Sequence, residues 1–327
     1  MSAALQRWLE ARWWRQAPVP GWLAALSRLY AGLAARRARR DAARAVVLPV
    51  PVLVVGNLTV GGSGKTPVVI ALAEALGALG WRPGVVSRGY GGRGRGCREV
   101  PADGDPALFG DEPVLIARRT GVPVVVGRDR VAAARDLLAR HPVDLVLADD
   151  GLQHHRLARD VEVCVVDGRR RFGNGRLLPA GPLREPPARL AGVDLVLANG
   201  PAQPGETAFS LVPGEPWRLA DGQRRPLAGF VDTAVHAVAG IGDPARFFET
   251  LRGQGLRVIE HPFPDHHRHR PDDLAFGDGL PVLMTEKDAV KCVAFAGPDW
   301  YALPVAASLA EAAVSGLHAR LSSCRRS

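Results

Sequence analysis

"VVGNLTVGGSGKTPVV", residues 54–69, runs an apolar β-branched stretch into a Gly-rich turn and then Lys65-Thr66. The phosphate-binding pattern G-x-x-x-x-G-K-[ST] asks for glycine where Thr59 stands, so the match is imperfect. The remaining elements are in order: a strand, then Gly61, Gly62 and Gly64, then a helix opened by Lys65. Glycines let successive backbone N–H groups converge on phosphate oxygens, and the helix N-terminus adds partial positive charge. Residues Thr59, Val60, Gly61, Gly62, Ser63, Gly64, Lys65 and Thr66 are therefore the expected nucleotide cradle, with Thr66 also a ligand of the metal. Pro67 is tolerable in the first helical turn, where its missing N–H has no intrahelical partner to lose. Gly56 is expected to relieve the turn that Thr59 constrains.

From residue 46 onward, short apolar runs alternate with Ala/Leu/Arg-rich helical stretches such as 65–79 and 129–140. Runs like "VDLVLADD", "VEVCVVDG" and "VDLVLANG" are apolar throughout, as strands buried on both faces of a parallel sheet must be. The alternation predicts a P-loop kinase-like, doubly wound parallel α/β sheet. Around 201–230 the text turns Pro/Gly-rich and irregular, which marks a link to a second, smaller α/β lobe. That lobe is read as a strand in 234–242, a helix in 244–255, a strand in 257–264 and a strand over 281–288. The expected division is 1–44, an N-terminal basic, Trp-rich membrane-associating helical segment; 45–225, the nucleotide-binding domain; and 226–327, the small lobe.

Composition narrows the function classes. With 327 residues and 47% hydrophobic content the chain can bury a real core, and four scattered cysteines support neither a zinc ribbon nor a disulfide framework. A reducing cytosolic setting fits. The net charge is +9, and residues 1–45 hold nine arginines against Glu10 and Asp41, so most of the excess sits at the N-terminus. The same segment holds Trp8, Trp13, Trp14 and Trp22, and Trp22, Leu26, Leu29, Tyr30 and Leu33 share one helical face. Such a helix suits a bilayer interface, Trp at headgroup level and Arg on anionic lipid, although an ordinary helix packed on the core fits the pattern too. Signal-peptide anatomy is missing, and no run of about 18 or more uncharged apolar residues exists to span a bilayer. Charge gathered beside Trp in one helix, rather than spread over the surface, argues against nucleic acid.

A mononucleotide site needs an acidic strand end beside the loop. Asp149 and Asp150 follow the run 144–148, and in an open parallel sheet the strand carboxyl ends share one crevice; Asp-Asp-Gly is also a plain turn signal. Asp111, followed by Glu112-Pro113, has the pattern of a helix N-cap. The cluster His261, His266, His267 and His269 raises the question of a metal, but no Cys completes a site and a polar loop fits as well.

"GNLTVGGSGKTP", "SRGYGG" (87–92), "GDEPVLIARR" (110–119), "DDGLQHHRLARDVEVCVVDG" (149–168), "FGNGRLLPAGPLRE" (172–185), "GIGDPARFFETL" (240–251), "FPDHHRH" (263–269) and "TEKDAVK" (285–291) come in order over almost the whole chain. Together they resemble the tetraacyldisaccharide 4′-kinase family of lipid A biosynthesis, in which Thr at the first loop position is usual. The resemblance implies ATP-dependent phosphorylation of the 4′-hydroxyl of an acylated glucosamine disaccharide 1-phosphate to form lipid IVA, with Mg²⁺ as the metal. It implies a peripheral enzyme at the cytoplasmic face of the bacterial inner membrane, held by the N-terminal segment. Carried over, Asp111 and His266 are the catalytic pair, with His267 the rival for the histidine. Asp149 and Asp150 are assigned to the metal, and Ser87, Arg88, Gln153 and His154 to acceptor or phosphate contacts. Thr285, Glu286 and Lys287 are placed near the site without a mechanism.

The rival is a P-loop GTPase or ATPase switch, or a metallochaperone-like NTPase. It calls for a base-reading N-K-x-D block or a metal-delivering Cys cluster, and "TEKD" lacks the Asn.

Overall fold

The computed structural model describes residues 3–14 and 17–325. Two helices, α1 (Ala3–Trp14) and α2 (Gly21–Ala42), precede the sheet. They are followed by β1 (Val52–Gly56), α3 (Lys65–Ala78), β2 (Pro83–Ser87), β3 (Arg98–Glu99), α4 (Pro106–Phe109) and α5 (Asp111–Thr120). Then come β4 (Val124–Val126), α6 (Arg130–Arg140), β5 (Leu145–Asp149), β6 (Val161–Asp167), β7 (Leu195–Asn199) and β8 (Thr207–Pro213). The second half adds β9 (Trp217–Arg218), β10 (Ala234–Ala239), α7 (Pro244–Gly253), β11 (Arg257–Pro262) and β12 (Val282–Thr285). It closes with α8 (Glu286–Cys292), β13 (Trp300–Leu303), β14 (Val305–Ser308) and α9 (Glu311–Ser323).

The large sheet has the order β14-β8-β7-β6-β1-β5-β2-β4-β3. Its interior pairs are parallel, and antiparallel partners stand at the two edges, β3 on β4 and β14 on β8. β1, β5 and β6 are buried along their whole length, because helices cover both faces of a parallel sheet. After β1 the chain builds towards β2 and β4, returns to insert β5, and then crosses to β6 on the other side of β1. That reversal opens a crevice at the carboxyl end of β1, where such folds bind ligands.

The smaller sheet runs β11-β10-β12-β13-β9 and has its own core around Phe230, Phe248 and Leu251. Sheet membership crosses a boundary at 225/226 twice. Trp217–Arg218 pairs with β13 of the small sheet, while β14 and α9 return to the large one, where Leu317 and Leu321 join its core. Covering the exposed edge of β8 gives the returning strand its place.

Three local readings change. The stretch 201–230 is not irregular throughout, since β8 lies within it, half covered and alternating, with too few fully apolar positions to announce itself. The run at 281–288 is strand only to Thr285. There the Thr285 side chain accepts from the Asp288 amide at 3.2 Å and caps α8. Gly56 does not relieve the loop. It lies outside the left-handed region, and its need is steric: a Cβ there would sit 2.7 Å from Leu152 Cγ.

Candidate active site

The cradle leaves β1 through Asn57, whose amide nitrogen donates to Ser63 Oγ (3.3 Å), and turns on Gly61 (φ 91°) and Gly64 (φ 95°). Thr59 needs no positive φ, because it is held by an isolated antiparallel bridge to Leu183, and the Val60 amide donates to Pro182 O at 2.9 Å. The segment 176–184 thus braces the loop, so that glycine is dispensable at position 59. Gly64 is also fixed by space, since a Cβ would approach Asn199 Nδ2 to 2.9 Å. Lys65, the first residue of α3, reaches Asp150 at 3.6 Å, while Thr66 one position on is buried.

Asp149 ends β5 and Asp150 follows in the left-handed region (φ 48°), which turns the two neighbouring side chains to different surroundings. Asp150 lies between cations: Arg184 Nη1 stands at 2.9 Å and Lys65 at 3.6 Å. Burial would raise its pKa, yet those charges hold the carboxyl far below the usual carboxylate range. Asp149 is buried, with the Ser87 hydroxyl donating to Oδ2 at 2.9 Å and Oδ1 lacking any hydrogen-bond partner among the described residues. Burial first, then the negative neighbours Glu112 and Asp150, push it up to about 7.

On the opposite wall, the loop after β11 brings His266 (φ 59°) to Asp111, with Nδ1 at 3.0 Å from Oδ2. His266 makes this contact, whereas His267 bonds Asp273 at 3.1 Å. Asp111 is the first residue of α5 after the left-handed Gly110, not a cap residue, and it is 5% exposed. Lys287 beside Glu112 (2.8 Å) adds positive charge. Against the raising effect of burial, Lys287 and the His266 hydrogen bond bring Asp111 down to about 2. His266 moves the other way: burial works against its proton, but Asp111 outweighs burial and raises it above the ordinary imidazole value.

One cavity of about 1350 Å³ contains Lys65, Thr66, Ser87, Arg88, Asp149, Asp150, Gln153, His154 and His266 among its lining residues. Gln153 is partly committed to the protein, its amide donating to Asn57 O (3.1 Å) and Glu185 (2.7 Å). His154 accepts from the Arg130 amide at 3.3 Å and is pushed down to about 4 by burial and by Arg130's charge, so it stays neutral. Lys287 and Glu286 line the same cavity; Lys287 neutralises Glu112 and Glu286 pairs with Arg119 at 2.7 Å.

Sequence reasoning assigned no role to Arg184 or Arg130. Arg184 holds Asp150, and buried Arg130 donates to Gly127 O at 2.9 Å. Arg170 joins the lobes, donating to Gly62 O (2.7 Å) on one side and Gly242 O (2.9 Å) on the other. In an Arg-rich chain nothing local distinguishes Arg130 and Arg184; the "PLRE" that ends the 172–185 block was the nearest signal.

A cradle of backbone amides, a lysine at a helix N-terminus and paired aspartates at a neighbouring strand end define an ATP-using phosphoryl-transfer enzyme of the P-loop α/β class. The family model for Tetraacyldisaccharide-1-P 4′-kinase (LpxK) matches residues 20–322. A Tetraacyldisaccharide 4′-kinase of Alkalilimnicola ehrlichii is 56% identical over 310 residues, covering 91% of this chain and 92% of the relative. That of Stenotrophomonas maltophilia is 51% identical over 334 residues, with 96% of both chains covered. The crystal structure of LpxK from Aquifex aeolicus in complex with ATP superposes with a TM-score of 0.76 at 28% identity, covering 93% of this chain and 98% of that one. The chain belongs to the tetraacyldisaccharide 4′-kinase family, and a GTPase-like switch or metallochaperone is not favoured.

Proposed function

We propose that this chain transfers the γ-phosphoryl group of ATP to the 4′-hydroxyl of a tetraacylated glucosamine disaccharide 1-phosphate, producing lipid IVA and ADP. The observation that carries this reading is the Asp111–His266 pair at 3.0 Å, with His266 lining the cavity that also contains Lys65. Phosphoryl transfer asks mainly for positioning and charge neutralisation, and a hydroxyl acceptor adds a proton that must leave. The acceptor oxygen forms the new bond to the γ-phosphorus as the bond to the β,γ-bridging oxygen breaks, and the hydroxyl proton passes to the Asp111–His266 pair. Two groups this close titrate as a unit, so the pair is the base. Lys65 and the loop amides hold the triphosphate oxygens.

The residues fit Mg²⁺. Unpartnered Oδ1 of Asp149 and the Thr66 hydroxyl, with Asp150 adjacent, are hard oxygen donors beside the phosphate cradle. When bound, the ion would neutralise charge on the phosphate oxygens. Ser87 orients Asp149, Arg88 is an exposed guanidinium for an anionic oxygen, and Gln153 and His154, which line the cavity, are assigned to acceptor contacts.

The acylated end is assigned to the N-terminal helices. Trp13 is buried, its Nε1 donating to Pro179 O (3.0 Å), and Ser27 donates to Leu177 O at 2.8 Å, so one side of the pair is docked on the loop brace. The other side leaves Trp22 (60%), Leu29 (59%) and Leu33 (60%) exposed, and α2 contributes Leu33 and Arg37 to the cavity wall. Among the described residues no helix is long and apolar enough to cross a membrane. An outward Trp/Leu face above an Arg-rich helix end suits peripheral attachment to the inner membrane at its cytoplasmic face. Transfer of radiolabelled γ-phosphate to a defined acylated disaccharide 1-phosphate tests the proposal; acceptor-independent ADP release with no labelled lipid would overturn it.

A further inference from the structure

The loop that carries His266 contains a second histidine constellation which the kinase reading leaves unused. One nitrogen each of His267 and His269 and a carboxylate oxygen of Asp273 lie within 4.8 Å of one another. His269 has a fully buried side chain whose Nε2 is 2.9 Å from Asp288 Oδ1, while its Nδ1 has no hydrogen-bond partner among the described residues. Burying an imidazole nitrogen without a partner costs free energy that a ligand would recover.

Asp288 decides which proton the ring carries. Its carboxylate accepts from the Gly240 amide (2.8 Å), Thr285 Oγ1 (2.6 Å) and Lys291 Nζ (2.8 Å) besides His269. With three other donors already aimed at it, Asp288 accepts from His269 Nε2, which leaves the Nδ1 lone pair free, the arrangement in which an outer carboxylate prepares a histidine for a metal. Phe263 packs against both rings, with centroids 4.8 Å from His267 and 4.8 Å from His269, which restricts their rotation. The other histidine cluster makes the contrast: His236 spends Nδ1 on His261 (2.8 Å) and Nε2 on Asp278 (3.0 Å) and has no nitrogen to offer.

We propose that His267, His269 and Asp273 form a binding site for a divalent transition metal of the zinc class, with Asp288 as the outer partner of His269. Two imidazoles and one carboxylate suit Zn²⁺ or Co²⁺ and disfavour Mg²⁺, which takes oxygen ligands. With Zn–N of about 2.0–2.1 Å, tetrahedral ligand atoms stand about 3.3 Å apart, so the cluster must contract by roughly 1.5 Å at most. The side chains of His267 and Asp273 are 29% and 28% exposed, leaving them room to swing inward and giving the ion a route from solvent. Binding exchanges the 3.1 Å His267–Asp273 hydrogen bond for two bonds to one ion and ties residues 267–273 together directly beside His266. The site stands independently of the proposed substrate.

The test uses the full, tag-free chain without nucleotide, stripped by chelator and titrated with Zn²⁺ against a chromophoric competitor. One tight equivalent is expected for the unaltered protein. Asp273→Asn, a partly exposed change, should weaken binding at least tenfold, and His269→Phe, which keeps a ring against Phe263, should abolish it. Co²⁺ in the unaltered chain should give the visible absorption of a four-coordinate ion, a readout that needs no variant to fold. Absence of that absorption, or Zn²⁺ binding unchanged by Asp273→Asn, overturns the site.

Discussion

The two walls of the cavity are made in different ways. The phosphate wall belongs to one sheet: β1 and β5 pair in parallel, Val55 beside Asp149, and each strand delivers its polar residues as it leaves the sheet. The acceptor wall is assembled between lobes, from the first turn of α5 in the large domain and a loop of the small one, 155 residues apart in sequence. The first wall is carried by strands β1 and β5, both buried along their whole length. The second depends on inter-lobe contacts, among them Arg170 to Gly62 O and Gly242 O. Under the proposed mechanism, catalysis rests on one half carried by a single sheet and one half that lobe packing brings into register.

The sharpest way to break the contrast is at the preformed wall. Lys65→Ala should lower kcat by about a thousandfold or more, because a fixed charge on the transferring group is lost, and folding should survive since Asp150 keeps Arg184 at 2.9 Å. Retained turnover in a steady-state assay would remove the cradle from the mechanism. At the assembled wall, Asp111→Asn should cost about a hundred- to a thousandfold in kcat with the KM for ATP little changed, and equal losses in both would point to binding or folding instead. The same wall should show itself in pH. His266 has a raised pKa and must be neutral to take a proton, so kcat should climb as pH rises through a value above the ordinary imidazole range, and His266→Gln should flatten that limb.

A smaller effect separates the two aspartates. In its proposed role Asp149, pushed up to about 7, has to lose its proton to hold Mg²⁺, so Mg²⁺ affinity should rise about tenfold between pH 6 and pH 8, and Asp149→Asn should erase the slope. The sign for stability is opposite. A carboxyl with a raised folded pKa contributes fully below its unfolded value near 4 and loses that contribution as pH rises to about 7, so metal-free protein should melt at lower temperature towards neutral pH and recover with Mg²⁺. The smallest change concerns attachment: Leu29→Ser or Leu33→Ser should each remove about 1 kcal/mol of apolar burial, about fivefold in partition onto anionic vesicles, without altering melting. Unchanged partition would strip the outer face of α2 of that role.

Much of this was legible in the residues. The β-branched runs announced β1, β2, β4, β5, β6 and β7, and Lys65-Thr66 after three glycines announced the cradle, because both signals are local. Strand β8 was not, since half of its side chains face solvent and its apolar run is broken. The N-terminal segment was half legible: its apolar positions could be counted, but that Trp13 would be buried and Trp22 exposed depends on where the loop around 177–184 lies. Asp111 and His266 entered only through resemblance to a family, because no spacing rule relates residues on different lobes.

By itself, then, the sequence determined the parallel α/β class, the phosphate loop and the acidic strand end, for these follow from side-chain pattern and backbone freedom within a dozen residues. Tertiary structure alone decided that Asp150 is caged by Lys65 and Arg184 while Asp149 is left with an unmatched oxygen, and that His269 keeps a bare nitrogen. The physical reason is that charge and proton affinity depend on which groups burial brings within a few ångströms, and neighbours in space are not written as neighbours in the chain.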